Sequence, residues 1–154
     1  MDKPIYLGFA VLELSKLLMY ETFYDVFQPY FGQESIQLHY IDCDSFVLSI
    51  NTKDLIKDLY NLKDLFDFSN LNKEHKLFSN ENKKVVGKFK IETPENIWID
   101  EFVALRSKAY SFKFNNNNTN KLKGISKSQS KGIKFDEYKN CLFGVIITRT
   151  VTIT

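Results

Sequence analysis

The 154 residues, 44% of them hydrophobic and 26% charged, make a chain the size of one ordinary domain that can bury a real core, which excludes a disordered tail. The formal net charge of +2 is too small to point to nucleic acid by itself, and no apolar run approaches the roughly 20 residues that a bilayer crossing needs. Cys43 and Cys141 lie far apart without Cys-x-x-Cys spacing, and nothing near Met1 has the layout of a signal peptide, which fits an intracellular, reducing compartment and no membrane.

From Phe9 to Tyr30, the residues Phe9, Leu12, Met19, Phe23, Val26 and Tyr30 recur at helical spacing. Lys16 interrupts the stripe and Gly32 ends it, which predicts one long amphipathic helix. Beyond Gly32 the period becomes two: Ile36, Leu38 and Tyr40 alternate with polar residues, and Phe46, Leu48 and Ile50 do so again after Asp42-Cys43-Asp44. This predicts a β-hairpin over Ile36 to Ile50 with the acids at its tip and Leu38, Tyr40, Phe46 and Leu48 mostly buried. Asn51 or Thr52 is expected to cap a short helix through Leu62 that faces inward by Leu55, Ile56 and Leu59. Phe66 to Asn82 reads as loop. Strand-like runs follow at Val85 to Ile91, Ile97 to Leu105 and Ala109 to Phe114. Asn115 to Asn120 reads as a polar turn, Lys121 to Gly132 as a Lys- and Ser-rich loop, and Phe135 to Phe143 as a last helix. The fold class expected is α+β in two closely joined parts. Acids gather around Asp54 to Asp67, whereas Lys108 to Lys134 holds many Lys and no acid, so one half is suited to face an anion.

Asp42 and Asp44 are the main chemical signal. Mg²⁺ prefers oxygen ligands and takes one or two protein carboxylates, leaving positions for water and substrate phosphates, a task that two acids on an apolar hairpin suit. Asp-x-Asp is also common in solvated turns, and both readings stand on the tripeptide alone. A calcium loop of EF-hand type is excluded, because Val47 and Lys53 occupy the places where it needs Gly and Glu.

Tyr40-Ile41-Asp42-Cys43-Asp44-Ser45 resembles the Tyr-x-Asp-Thr-Asp-Ser motif of B-family DNA polymerases, with Cys43 in place of Thr. The resemblance extends in order to the protein-primed members found in organelles, viruses and transposons of the Maverick or Polinton type. It runs through Lys3 to Gly8, Leu12 to Lys16, Met19 to Glu21, Phe66 to Asn70, Asn82 to Lys90 and Glu101 to Lys108. Lys108-Ala109-Tyr110 is similar to the family's Lys-x-Tyr element, Lys121-Leu122-Lys123-Gly124 to its Lys-x-Lys-Gly element, and Asp136 to Phe143 to a thumb helix.

The resemblance implies a partial palm over residues 1–65, made of the long helix and the hairpin, a connection over 66–105, and a β-rich, helical partial thumb over 106–154. It implies a DNA-directed DNA polymerase that joins deoxynucleoside triphosphates to a primer 3′-hydroxyl with two Mg²⁺ or Mn²⁺ ions. Asp44 would be the direct metal ligand and Asp42 its support, with Tyr40 and Ser45 as motif neighbours. Lys108 and Tyr110, read as sharing one face of an extended segment, would hold primer-template DNA together with Lys121 and Lys123. A terminal protein would be a further partner. The family's other palm Asp and its fingers Lys would precede Met1, its pattern is lost at Val151 to Thr154, and the chain alone is therefore expected to be inactive. The rival readings are a non-catalytic DNA-binding remnant of a mobile element and a metal-dependent Asp-x-Asp glycosyltransferase.

Overall fold

The computed structural model describes residues 4–93, 98–115, 117–126, 130 and 132–148, and the chain divides into two compact units, Met1–Glu92 and Thr93–Thr154. Each combines helix with a small antiparallel sheet, of two strands in the first and three in the second, so the architecture is α+β. Among the described residues no helix is long and apolar enough to cross a membrane.

The first unit opens with α1 (Ile5–Glu21), which continues through a π-helical turn at Thr22–Phe27 into α2 (Gln28–Phe31). Gly32 ends the run at φ +87°, a left-handed conformation that costs a residue without Cβ little. The predicted stripe is corrected by this structure. Phe9 and Leu12 are exposed, and the buried positions are Met19, Thr22, Phe23 and Phe27. A π turn widens the helix by one residue per turn, so the inward face passes to Phe27 and away from Val26 and Tyr30.

Two strands follow, β1 (Ile36–Asp42) and β2 (Ser45–Ile50), paired from Ile36↔Ile50 to Asp42↔Ser45 with a bulge at His39. Leu38, Tyr40, Phe46 and Leu48 are half-buried instead of mostly buried, because a lone pair of strands has little to close over its ends. Phe46 carries most of the packing, its ring within 6.2 Å of Phe23 and Phe27 and 5.7 Å of Phe89, centroid to centroid. Next comes α3 (Leu55–Asn61), which buries Leu59 and is capped by Asp54, whose carboxylate accepts from the Lys57 amide at 3.0 Å. The cap is not Asn51 or Thr52. The Asn51 amide is already given to the Ser35 carbonyl, 2.7 Å away, closing the hairpin, and the Thr52 hydroxyl donates to Asp58.

The segment from Phe66 to Asn82 is loop, as its polarity predicts, but it is anchored by buried Phe66, Phe68, Leu71 and Leu77. Val85 to Ile91 does not form the expected strand. A left-handed residue at Lys84 precedes it and one at Gly87 interrupts it, Val85 and Val86 face outward, and its ladder contact is one parallel bridge between Phe66 and Phe89.

The second unit is the sheet β3 (Glu101–Arg106), β4 (Ala109–Phe114), β5 (Asn117–Leu122), in that order, with α4 (Phe135–Leu142) packed on it. Val103, Phe135 and Tyr138 form its core, flanked by Ile133. Ile97 of the expected third strand, part of the expected loop after Lys121, and residues 149–154 lie outside the described residues. The polar turn expected over Asn115 to Asn120 is instead mostly strand. Six cross-strand pairs with β4 outweigh the weak strand preference of Asn.

Candidate functional site

The hairpin turn is tighter than a two-residue β-turn requires. The Asp44 amide donates to the Asp42 carbonyl at 2.6 Å, which makes a γ-turn about Cys43, and the Ser45 hydroxyl donates to the same carbonyl at 3.3 Å. Cys43 sits at φ +55°, in the region that a side chain enters at a cost of about 1–3 kcal/mol. The consequence for chemistry is spacing. Asp42 ends β1, half-buried, and Asp44 stands in the turn, exposed, with one residue between them. Tyr40 is half-buried and pairs with Val47, so the bulge at His39 turns it to the face opposite Phe46.

This donor set fits part of a hard-cation shell, since it offers carboxylate oxygens on an open turn with room for water and phosphate. Among the described residues no group of three or more His, Cys, Asp or Glu side chains is gathered for a metal. Nearby, the Lys16 ammonium is 2.7 Å from Glu13 and its pKa is raised, first by that hydrogen bond and charge, with small contributions from Tyr20 and Cys43.

In the second unit the two Lys motifs meet. The β4–β5 ladder pairs Tyr110 with Lys121 and Ala109 with Leu122, and just beyond it the Lys123 amide donates to the Lys108 carbonyl at 2.9 Å. Residues paired across antiparallel strands share a face, so Tyr110 and Lys121 lie on one side of the sheet. Lys108, Lys123 and Arg106 cluster at one end of it. The expected extended arrangement of Lys108 and Tyr110 is corrected here. Lys108 occupies a tight turn at φ +56°, and Tyr110 is only 7% exposed, its ring 5.7 Å from that of Phe102. Tyr110 therefore supports the strand that presents the lysines.

The opposite face carries cations too, but acids neutralise them. Lys139 lies 2.7 Å from Glu101, and Lys113 lies 3.4 Å from Glu101, 3.5 Å from Asp136 and 4.5 Å from the centre of the Phe135 ring. Those ion pairs hold Glu101 below and Lys139 above their ordinary pKa values, in each case chiefly through the hydrogen bond between them. Lys121 and Lys123 have no acidic partner among the described residues.

Two positioning residues escape a reading of the sequence. Asn120 ties the sheet to the segment before α4: it accepts from the Ser111 hydroxyl at 2.7 Å and donates to the carbonyls of Ser130 and Ile133 at 3.2 and 2.6 Å. Asp67 is buried in the first unit, where it accepts from the amides of Ser69 and Lys84, both at 3.0 Å, and pairs with Lys90 at 3.2 Å. The Asp-x-Ser order of residues 67 to 69, a common side-chain-to-backbone turn, was the available signal for Asp67. In comparison with known proteins, no family model, no curated protein and no solved structure matches the chain.

Proposed function

We propose that the chain is part of a protein-primed, B-family DNA-directed DNA polymerase, with a partial palm in the first unit and a partial thumb in the second. The observation that carries this reading is the γ-turn that sets Asp42 and Asp44 one residue apart at the end of a hairpin seated on aromatic side chains. The meeting of Lys108 with Lys123 and of Tyr110 with Lys121 supports it too, because the two motifs lie side by side on neighbouring strands, as the holding of one phosphate backbone would need.

In the reaction proposed, a primer 3′-hydroxyl attacks the α-phosphate of a deoxynucleoside triphosphate. Mg²⁺ or Mn²⁺, when bound, would stabilise the attacking and leaving oxygens. Asp44, exposed at the turn, would be the direct ligand. Asp42 would hold the turn and lend its charge. Lys108, Lys121 and Lys123 would take the phosphates of the DNA, which fixes its register without reading its sequence.

The test is a pair of titrations. Mn²⁺ binding, followed by water-proton relaxation, should be lost in Asp44→Asn while primer-template binding persists. Primer-template affinity should fall in Lys121→Ala/Lys123→Ala while Mn²⁺ binding persists. Unchanged Mn²⁺ binding in Asp44→Asn and Asp42→Asn would remove the metal role. DNA binding that then survived would favour a non-catalytic DNA-binding remnant.

A further inference from the structure

Asp67 to Lys88 runs for twenty-two residues without helix or strand. Stretches of that kind longer than about 12–15 residues are uncommon in a compact unit, and those that are packed in place usually carry a function. This one is packed, with Phe68, Leu71 and Leu77 buried. Asn82, at φ +60°, donates its side-chain amide to the carbonyls of Lys63 and Phe66 at 3.4 and 3.1 Å, and Lys63 pairs with Glu81 at 3.5 Å. Between these ties and the end of α3 the loop leaves a cleft of about 220 Å³. Its walls stand on the chain's own bonds, the largely preformed state that small-molecule sites have.

Buried Phe66, Phe68 and Leu77 line the cleft, the two rings stacked with centroids 5.2 Å apart. The exposed residues that line it include Lys63, Lys76 and Glu81. An apolar floor with a few charged groups around it takes a ligand that is apolar at one end and polar at the other. Two ammoniums stand against one carboxylate, and Lys76 has no acidic partner among the described residues, so the polar end is an anion. The volume lies below the roughly 300–1,000 Å³ of sites for drug-sized molecules, which leaves room for one ring. A flat ring gains offset or edge contacts with the Phe rings that a saturated one does not. We infer that this cleft binds a small monoanion built on one aromatic ring, of the benzoate class, with the ring on Phe66, Phe68 and Leu77 and the carboxylate at Lys76. The inference does not depend on the polymerase reading.

Titration of the isotope-labelled full chain with sodium benzoate, followed by amide chemical shifts, tests it. The shifts should saturate in the millimolar range and centre on Lys76 to Asn82. Benzylamine, with the same ring and the opposite charge, should leave those amides unmoved. Cyclohexanecarboxylate, with the acid and no flat ring, should bind about threefold more weakly or worse. Lys76→Met keeps the side-chain stem and removes the charge, and should weaken benzoate about threefold or more. Lys73→Met, a nearby exposed lysine that does not line the cleft, should leave benzoate affinity as it is. The amide spectrum of each variant shows in the same experiment that it is folded. Shifts that do not saturate, that spread over the exposed apolar residues of α1, or that are as large with benzylamine would overturn the inference, as would equal affinities for benzoate and cyclohexanecarboxylate or in Lys76→Met and Lys73→Met.

Discussion

At the scale of single residues, Asp67 and Tyr138 show opposite ways of burying a polar group. Asp67 is 1% exposed, yet its carboxyl is held well below the usual range. Burial opposes ionisation, and the hydrogen bonds from Ser69 and the Lys84 amide, with the Lys90 ammonium, outweigh it. A carboxyl with a depressed folded pKa contributes its stability above the unfolded value, about 3.9, and loses it as pH falls toward the folded one. Asp67→Ala should therefore cost about 2–3 kcal/mol at neutral pH, by taking their shared acceptor from two part-buried amides and from the Lys90 ammonium. In urea melts across pH, the variant should also lose less stability than the parent below about pH 4. Tyr138 is the converse case. Its hydroxyl is buried with no partner among the described residues, and burial raises its pKa. Tyr138→Phe removes an unsatisfied group while keeping the ring, so thermal melting should show a protein as stable as the parent or about 1 kcal/mol more so.

Among the elements, those whose hydrophobic period agreed with their environment were legible. The alternation from Ile36 to Ile50 gave the hairpin, Ala109 to Phe114 gave β4, and Phe135 gave the start of α4. The rest depended on partners that a local reading does not contain. Val85 to Ile91 has strand-forming residues and no strand beside it, whereas Asn117 to Leu122 has poor ones and is held by β4 and Asn120. The acids of the site were legible as a pair. The γ-turn between them was not, since Cys at positive φ carries no sequence signal. The lysine motifs were legible singly, and their meeting across the ladder was not. That meeting has a measurable consequence. The logarithm of primer-template affinity should fall linearly with that of salt, and Lys121→Ala and Lys123→Ala should each flatten the slope by about one unit. A slope unchanged in both would separate the ladder from DNA binding.

For the whole molecule, the decisive quantity is how many carboxylates converge. Two-ion phosphoryl transfer works with ions about 3.5–4 Å apart, which calls for acids from separate strands, and among the described residues no group of three or more His, Cys, Asp or Glu side chains is gathered. The 154-residue chain by itself should give no primer extension with Mn²⁺ and all four deoxynucleotides, assayed beside Asp44→Asn to expose contaminating polymerase. Extension that vanishes in Asp44→Asn would mean that another acid of this chain completes the site.

The ladder also sets a condition on the gene. Asn115 to Asn118 is a run of one amino acid, and repeated codons are where copying gains or drops a unit without shifting the frame. The count matters because Phe114 pairs with Asn117 and every later pair follows from it. One added Asn taken up by β5 would carry Lys121 from beside Tyr110 to the face under α4, where Asn120 now holds Ser111 and the carbonyls of Ser130 and Ile133. Inherited length changes in this tract are thus tolerated only where the connection between β4 and β5 grows and the strand does not move.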